Sequence, residues 1–279
     1  MVMDGTAKLF RAIMFSSLDE HVRRASQYPK RRDRLWYWWN LVLRRFPHAP
    51  LPFRKRIVAL THHRTGWMFS VRMGATDWYV ANEIIEEGEY DRVKEWNPQA
   101  FDSVIDLGAN IGLSVKLFAD LSPNAVIKAI EPDDNNLAVL TVNLAESRIE
   151  DRVVVIRGFV GAESGTAGID SSSGEWGIKM TRGDQKVSVP VYSMSQIMDE
   201  KPAFNAVDLL KCDVEGTEAE LFCDCADWIT RIRYAIVETH PPYSPDALEN
   251  DIRRNGGSLK LVGRLQHGPN ELVFLEQKK

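Results

Sequence analysis

From about residue 103 onward, short apolar runs alternate with stretches in which apolar residues recur every three or four positions. The short runs are typical of strands buried on both faces, and the spaced stretches are typical of amphipathic helices. Because strands and helices alternate with short connections, the pattern predicts an α/β fold with a doubly wound parallel sheet and right-handed crossovers. The predicted strands lie at residues 104–106, 126–130, 153–160, 206–213 and 234–237, and a final hairpin pairs 259–262 with 271–275.

The chain before residue 50 contains a helical pattern of its own. Apolar residues recur there at spacings of three and four, and Pro47 follows and ends the helix. The members of this stripe are Leu35, Trp38, Trp39, Val42 and Phe46. Three interpretations are open: the stripe packs on the rest of the protein, residues 30–56 make a peripheral membrane contact, or the segment forms a lid for an anionic substrate.

Charge divides the chain near residue 75. Residues 1–75 contain 15 Lys and Arg against 4 Asp and Glu, whereas residues 76–279 contain 20 against 35. Apolar runs at 57–60 and 67–72 predict a hairpin, so we expect residues 1–75 to form a small helical and β-hairpin extension and residues 76–279 to form the main domain. Because the larger part is acidic and contains no recognised binding module, we expect no nucleic-acid partner.

The first predicted strand of the main domain runs directly into a glycine-rich turn. The sequence reads Val104-Ile-Asp-Leu-Gly-Ala-Asn-Ile-Gly112, and a helical pattern begins at Leu113. Glycines let a backbone approach a ligand closely, and the start of a helix offers unpaired N–H groups. Many α/β proteins share this arrangement, so it indicates a nucleotide-type ligand without specifying which one.

Two carboxylates narrow the choice of ligand. Glu131 ends the second strand, 19 residues after Gly112, at the position where a carboxylate accepts hydrogen bonds from the ribose hydroxyls of a nucleoside. Asp106 lies two residues before the first glycine of the turn, where its charge disfavours a pyrophosphate and favours an ammonium group. Together they favour S-adenosylmethionine, which carries ammonium and sulfonium groups, over a dinucleotide.

Three motifs in this order resemble the FkbM family of S-adenosylmethionine-dependent methyltransferases. They are Asp106-Leu-Gly-Ala-Asn-Ile-Gly112 with Ser114, then Glu131-Pro132, then Leu210-Lys-Cys-Asp-Val-Glu-Gly-Thr-Glu218, within about residues 80–277. The resemblance implies a class I methyltransferase fold, a Rossmann-like, doubly wound, mostly parallel seven-stranded sheet with an antiparallel last strand, and usually O-methylation. It also implies a set of cofactor-binding residues, which are Asp106, Gly108, Asn110, Gly112, Ser114 and Glu131. The family commonly has an aliphatic residue where this chain has Cys212.

A hydroxyl acceptor must be aligned with the methyl donor and must lose its proton to a base or a metal-activated group. The candidate catalytic residues are Asp213 and Glu215, which follow the fourth strand, and His240, which follows the fifth. The ordinary pKa of a histidine suits a base at neutral pH, so His240 is the first candidate. As an alternative, Asp213 and Glu215 would hold Mg²⁺, which prefers oxygen ligands; we do not favour a metal and assign no metal ligand.

The sequence therefore predicts a cytoplasmic S-adenosylmethionine-dependent O-methyltransferase that acts on a hydroxyl of a sugar, a glycolipid or a secondary metabolite. The alternatives are a carboxylate or N-methyltransferase, a Mg-dependent O-methyltransferase, and a non-catalytic nucleoside-binding module. The three cysteines cannot form a disulfide framework, and no apolar run reaches about 18 residues. The expected partners are small-molecule, sugar or lipid-linked substrates, and the oligomeric state is left open.

Overall fold

A computed structural model of the chain describes residues 18–170, 179–181 and 188–278. The described residues form two compact units, one ending at Ala75 and the other beginning at Thr76. In this described part, none of the helices has both the length and the hydropathy that are needed to cross a bilayer.

The first unit combines helices with a β-hairpin. Helix α1 covers residues 18–26, helix α2 covers Arg31–Arg45, strand β1 covers Ile57–Thr61 and strand β2 covers Met68–Arg72. The two strands are antiparallel, and Val58 lies opposite Val71. The predicted helix and the predicted hairpin are both confirmed.

The buried face of α2 differs from the predicted apolar stripe. Leu35 is 69% exposed and Phe46 is 52% exposed, whereas the opposite face of the helix is buried. That face carries Tyr37 and Leu43 together with two polar residues that are hydrogen-bonded to the backbone. Asp33 accepts a hydrogen bond from the backbone N–H of Thr61 at 3.0 Å, and Asn40 accepts one from the backbone N–H of Gly74 at 2.7 Å. Polar and apolar contacts therefore bury the same face of the helix, while Leu35, Val42 and Phe46 of the stripe are exposed and Trp38 and Trp39 are half-buried.

The second unit is organised around a parallel sheet. Its helices are α3 (Asp77–Ala81), α4 (Leu113–Leu121), α5 (Asp134–Ser147), α6 (Met194–Asp199), α7 (Glu218–Cys223) and α8 (Pro245–Arg254). Its strands are β3 (Ser103–Leu107), β4 (Val126–Glu131), β5 (Val153–Arg157), β6 (Phe159–Val160), β7 (Gly165–Asp170), β8 (Lys179–Thr181), β9 (Val189–Tyr192), β10 (Val207–Cys212), β11 (Ile232–Thr239), β12 (Leu259–His267) and β13 (Asn270–Gln277). A π-helical turn at Asn82–Glu87 and a 3₁₀ turn at Asp91–Trp96 precede β3.

Within the described residues, seven strands form the main sheet in the order β12-β13-β11-β10-β3-β4-β5. Strands β11, β10, β3, β4 and β5 are mutually parallel, and β13 is antiparallel to both of its neighbours. The predicted doubly wound, mostly parallel seven-stranded sheet with an antiparallel last strand is therefore confirmed. Strand β3 is buried at every position because both of its faces are covered, which explains its continuous apolar pattern.

The third predicted strand does not continue to Val160. Strand β5 ends at Arg157, and Phe159–Val160 pairs with β9 in a smaller sheet of order β6-β9-β7-β8. The break falls at Gly158, where an added Cβ would lie 2.8 Å from the backbone oxygen of Pro190. Close packing of this glycine on β9 therefore turns the chain out of the main sheet. Residues 171–178 and 182–187 of this region lie outside the described residues.

Candidate active site

The carboxyl ends of β3, β4, β10 and β11 meet at one edge of the main sheet. Strand β3 lies between β4 and β10, so the chain order reverses there, which is where ligands bind in doubly wound sheets. Two adjoining cavities open at this edge. The narrow cavity is lined by Glu131, Asn136 and Phe159 among others, and the wide cavity, of about 240 Å³, is lined by Glu89, Tyr90, Glu238 and Asn270 among others. Both are lined by Gly108, Asn110, Asp213 and Glu215.

Gly108 begins the turn after β3 and fits its place only as a glycine. Its φ is +80°, and an added Cβ would lie 2.0 Å from the backbone oxygen of Asp213. The turn after β3 and the segment after β10 therefore touch through their backbones. Gly108 and Asp213 line both cavities, so this backbone contact lies where the two cavities adjoin.

Lys211 of β10 is hydrogen-bonded to the same turn. Its ammonium group donates to the backbone oxygen of Gly108 at 2.7 Å and to that of Leu107 at 3.2 Å, and it lies 3.1 Å from a carboxylate oxygen of Asp106. Burial lowers the pKa of Lys211, but the charges of Asp106 and Asp213 outweigh burial and raise it above its ordinary value. Lys211 is therefore charged, and its ammonium group is engaged by Leu107, Gly108 and Asp106.

Asp106 itself is completely buried and is paired within the protein. Its Oδ2 accepts a hydrogen bond from Ser114 at 2.6 Å, and its Oδ1 faces Lys211. Asp106 lines neither cavity, whereas Ser114 lines the wide one. Gly112 starts α4 and packs on Leu140, to which an added Cβ would come within 3.0 Å. Neither Asp106 nor Gly112 lines the two cavities, and their direct contact with a cofactor stays a prediction.

Glu131 ends β4 and lies in the wall of the narrow cavity. One carboxylate oxygen accepts from the backbone N–H of Asn110 at 2.9 Å, and the other accepts from Asp133 N–H at 2.9 Å and from the Asn136 amide at 3.1 Å. A carboxylate offers about four acceptor positions, so one is left for a ligand hydroxyl. Burial raises the pKa of Glu131 to about 7, although these three hydrogen bonds oppose that shift.

Asp213 lies at the junction of the two cavities, directly after β10. Burial raises the pKa of Asp213 well above its usual value, and the charge of Glu238 raises it further while Lys211 opposes the shift. Asp213 is also hydrogen-bonded to Glu238, the second-last residue of β11, which accepts a hydrogen bond from the amide of Asn270 at 3.0 Å. Two carboxyl groups in such contact hold a proton between them more readily than an isolated carboxylate does.

His240 is held by the first residue of α7. Its Nδ1 lies 2.9 Å from the carboxylate of Glu218, which is completely buried, and its Nε2 lies 3.5 Å from Glu215. Burial lowers the pKa of His240, but the hydrogen bond and charge of Glu218, with Glu238 and Glu215, outweigh it and raise that pKa. Burial also raises the pKa of Glu215, which His240 partly offsets. The structure therefore brings the three predicted catalytic residues together. Asp213 and Glu215 line the cavities, whereas His240 lines neither of them.

The predicted pairing of Asp213 with Glu215 around a metal ion differs from the grouping that the structure shows. Among the described residues, the potential ligand atoms of Asp213, Glu238 and His240 all lie within 4.8 Å of one another. A set that includes an imidazole nitrogen is unlike the all-oxygen environment that Mg²⁺ prefers. The donor set thus gives no support to a magnesium site.

Sequence reasoning missed several residues of the site. Glu238 was detectable, because it lies near the carboxyl end of a strand, at the same edge of the sheet as Asp213. Glu218 and Lys211 lie inside a quoted motif, but nothing in the motif indicates that they face His240 and Gly108. Glu89 lies in the irregular segment before β3, and the sequence carries no signal that brings it to the cavity.

The sheet order, the antiparallel β13 and the cleft at the β3–β10 switch define the fold of a class I methyltransferase. The family model described as the methyltransferase FkbM domain matches residues 106–256, which is more than half of the chain. The chain therefore belongs to the FkbM methyltransferase family. A search of curated protein sequences gives no match.

Several solved structures are similar in fold. A putative transferase, PH0793 from Pyrococcus horikoshii, has 14% identity and a TM-score of 0.48, covering 80% of this chain and 72% of that one. The METTL16 methyltransferase domain has 14% identity and a TM-score of 0.47, covering 68% and 67%. The N-terminal domain of human METTL16 in complex with SAH has 14% identity and a TM-score of 0.42, covering 73% and 69%. Similarity at this level carries no information about substrate.

Proposed function

We propose that this methyltransferase uses S-adenosylmethionine and transfers the methyl group to a hydroxyl of a neutral, polar acceptor such as a sugar. The observation that carries the proposal is the position of Asp213. It lies where the narrow and wide cavities meet, so it borders both the expected donor side and the expected acceptor side. When bound, S-adenosylmethionine supplies an activated methyl group on a sulfonium.

The residues around the narrow cavity fit a nucleoside. Glu131 has an acceptor position left for a ribose hydroxyl, as counted above. Gly108 brings a bare backbone to the junction of the cavities, where a side chain would collide with the segment after β10. Carboxylates around the junction favour the positive charge of an ammonium or sulfonium group.

The wide cavity indicates the chemical class of the acceptor. Five carboxyl groups line it, while Lys211 is committed to the protein itself. They belong to Glu83, Glu89, Asp213, Glu215 and Glu238. This lining repels an anionic acceptor, which argues against carboxylate methylation, and it accepts hydrogen bonds from a group rich in hydroxyl donors. The same lining suits a protonated amine, so N-methylation of an amino compound is the second candidate.

The chain itself would handle the acceptor's proton. We propose that Asp213, paired with Glu238, takes the proton as the methyl group is transferred, because Asp213 is in the cavity wall. His240 is hydrogen-bonded to Glu218, lies 3.5 Å from Glu215 and lines neither cavity. We therefore propose that it acts on the proton-accepting pair through its charge. This differs from the sequence-based expectation, in which His240 is itself the base. No step of the proposal depends on magnesium.

Two measurements test the function. Calorimetry of the folded protein with S-adenosylmethionine should show binding, and absence of heat at saturating ligand would refute the cofactor assignment. Methyl transfer should then be assayed on matched panels of neutral sugars, amino sugars and uronic acids. Activity on neutral sugars supports O-methylation, activity on amino sugars alone supports the second candidate, and preference for uronic acids would contradict the acidic-cavity argument.

A further inference from the structure

The outward face of α2 carries large apolar side chains in one row. Leu35, Val42 and Phe46 are spaced by seven and four residues, and they are 69%, 37% and 52% exposed. Residues at such spacings lie on one side of a helix. Asp33 and Asn40 on the other side accept hydrogen bonds from the backbone N–H groups of Thr61, at the end of β1, and Gly74, just after β2. The exposure of the apolar row is therefore fixed by the packing of the unit itself.

A second apolar group is fixed beside this row. The indole N–H of Trp39 donates to the backbone oxygen of Pro52 at 3.1 Å, which holds the following loop against the helix. Phe53 in that loop is 47% exposed and contacts Trp36 edge-to-face, with ring centroids 5.4 Å apart. Phe53 and Lys55 both have a positive φ, which costs free energy in residues other than glycine. Two residues of this loop therefore hold a backbone conformation that is unfavourable for residues other than glycine.

Positive charge surrounds the apolar groups. Residues 30–56 contain nine Lys and Arg, and Asp33 is their single acidic residue. Asp33 is buried and engaged by Thr61, so it does not neutralise the outward face. The cations include Arg31 and Arg45 near the ends of the row and Arg56 over the ring of Phe53 at 5.5 Å. The face therefore combines exposed aliphatic and aromatic side chains with a surplus of cations.

We propose that this face, made of Leu35, Val42, Phe46 and Phe53 with the cations of residues 30–56, binds the surface of a bilayer that contains anionic lipids. Apolar side chains inserted at the headgroup boundary and basic side chains attracted to anionic headgroups are the two contributions that hold interfacial helices. A nucleic acid fits less well, because the most exposed member, Leu35, is aliphatic and cannot stack on bases. The proposal does not depend on the methylation reaction, although it suits a lipid-linked acceptor.

Vesicle flotation with the full chain tests the proposal. The protein should bind weakly to vesicles of phosphatidylcholine alone and strongly to vesicles that contain phosphatidylserine. Added salt should weaken its binding to the vesicles that contain phosphatidylserine. The double variant L35S/F46S should lose about tenfold in affinity for the anionic vesicles. The matched control is L265S, since Leu265 is 45% exposed in the second unit.

The variants are checked by circular dichroism and by calorimetry with S-adenosylmethionine, which should be unchanged in all of them. Equal binding of L35S/F46S and L265S would overturn the proposal, and so would failure of the unaltered protein to bind anionic vesicles. Salt-sensitive binding to single-stranded RNA, without binding to vesicles, would assign the face to a different partner and would likewise overturn it.

Discussion

The ammonium group of Lys211 lies 2.7 Å from the backbone oxygen of Gly108. A buried cation on β10 therefore binds the glycine turn that follows the neighbouring strand β3. Replacement of Lys211 by Met should destabilise the protein by about 3–5 kcal/mol, because Asp106 is left buried without its partner. Denaturant unfolding measures this change. Calorimetry on the folded fraction should also show weaker binding of S-adenosylmethionine, because the turn loses its support.

The control for this variant is K94M, which removes an exposed lysine paired with Asp91 and should cost less than about 1 kcal/mol. The double variant D106N/K211M should recover part of the stability lost in K211M, since the unpaired charge is gone. A double variant no more stable than K211M would show that the loss does not arise from Asp106.

Gly108→Ala should be far more damaging than the same change at Gly256. The two glycines have φ values of +80° and +82°, so both variants carry the cost of a left-handed alanine, about 1–2 kcal/mol. An added Cβ at Gly256 meets no atom within 4 Å, whereas at Gly108 it meets backbone that cannot rotate away. We expect a further loss of about 1–3 kcal/mol at Gly108, measured by denaturant unfolding. Equal effects at the two positions would disprove the close contact with Asp213.

Binding of S-adenosylmethionine should strengthen as the pH rises through about 7. Below that pH Glu131 is protonated, because its pKa is raised to about 7, and above it the carboxylate accepts a ribose hydroxyl more strongly. Glu131→Gln removes the charge at all pH values and should lose about tenfold to a hundredfold in affinity at pH 8, with a flat profile. Calorimetry at several pH values gives both curves. A pH dependence that persists in the Gln variant would place the titrating group elsewhere.

Asp213→Asn should lower kcat by about 10²–10⁴-fold, since the acceptor loses its base. His240→Gln should lower kcat less than Asp213→Asn does, because His240 lines neither cavity. A base must be unprotonated, so activity should fall on the acid side of the raised pKa of Asp213, at a higher pH than an ordinary carboxyl group would give. The pH–rate profile measures this limb. A larger loss in His240→Gln than in Asp213→Asn would return the role of base to His240.

Much of the second unit could be predicted because its central strands β3, β4 and β10 are buried on both faces. The apolar runs that became β3, β4 and β10 are visible in the sequence for this reason, and the placement of Glu131 and Asp213 at their carboxyl ends follows from the parallel order. The end of β5 could not be predicted, since Gly158 turns the chain by packing on β9, a contact between residues distant in sequence.

The inward face of α2 could not be chosen from the sequence for a related reason. Counting apolar positions selects Leu35 and Phe46, but the buried face carries Asp33 and Asn40, which bind the backbone N–H groups of Thr61 and Gly74. The contact of His240 with Glu218 was also beyond sequence reasoning, because it joins the end of one strand to a helix that follows another. Hydrophobic periodicity does not report polar contacts made across such distances.

Asp213 and Glu215 belong to the walls of both cavities, so a ligand in either cavity borders the same two carboxyl groups. We therefore expect the affinities for donor and acceptor to be thermodynamically linked. Reciprocity requires that the factor by which the bound donor changes the affinity for the acceptor equals the factor by which the acceptor changes the affinity for the donor. The two factors should therefore agree when they are measured with either ligand bound first.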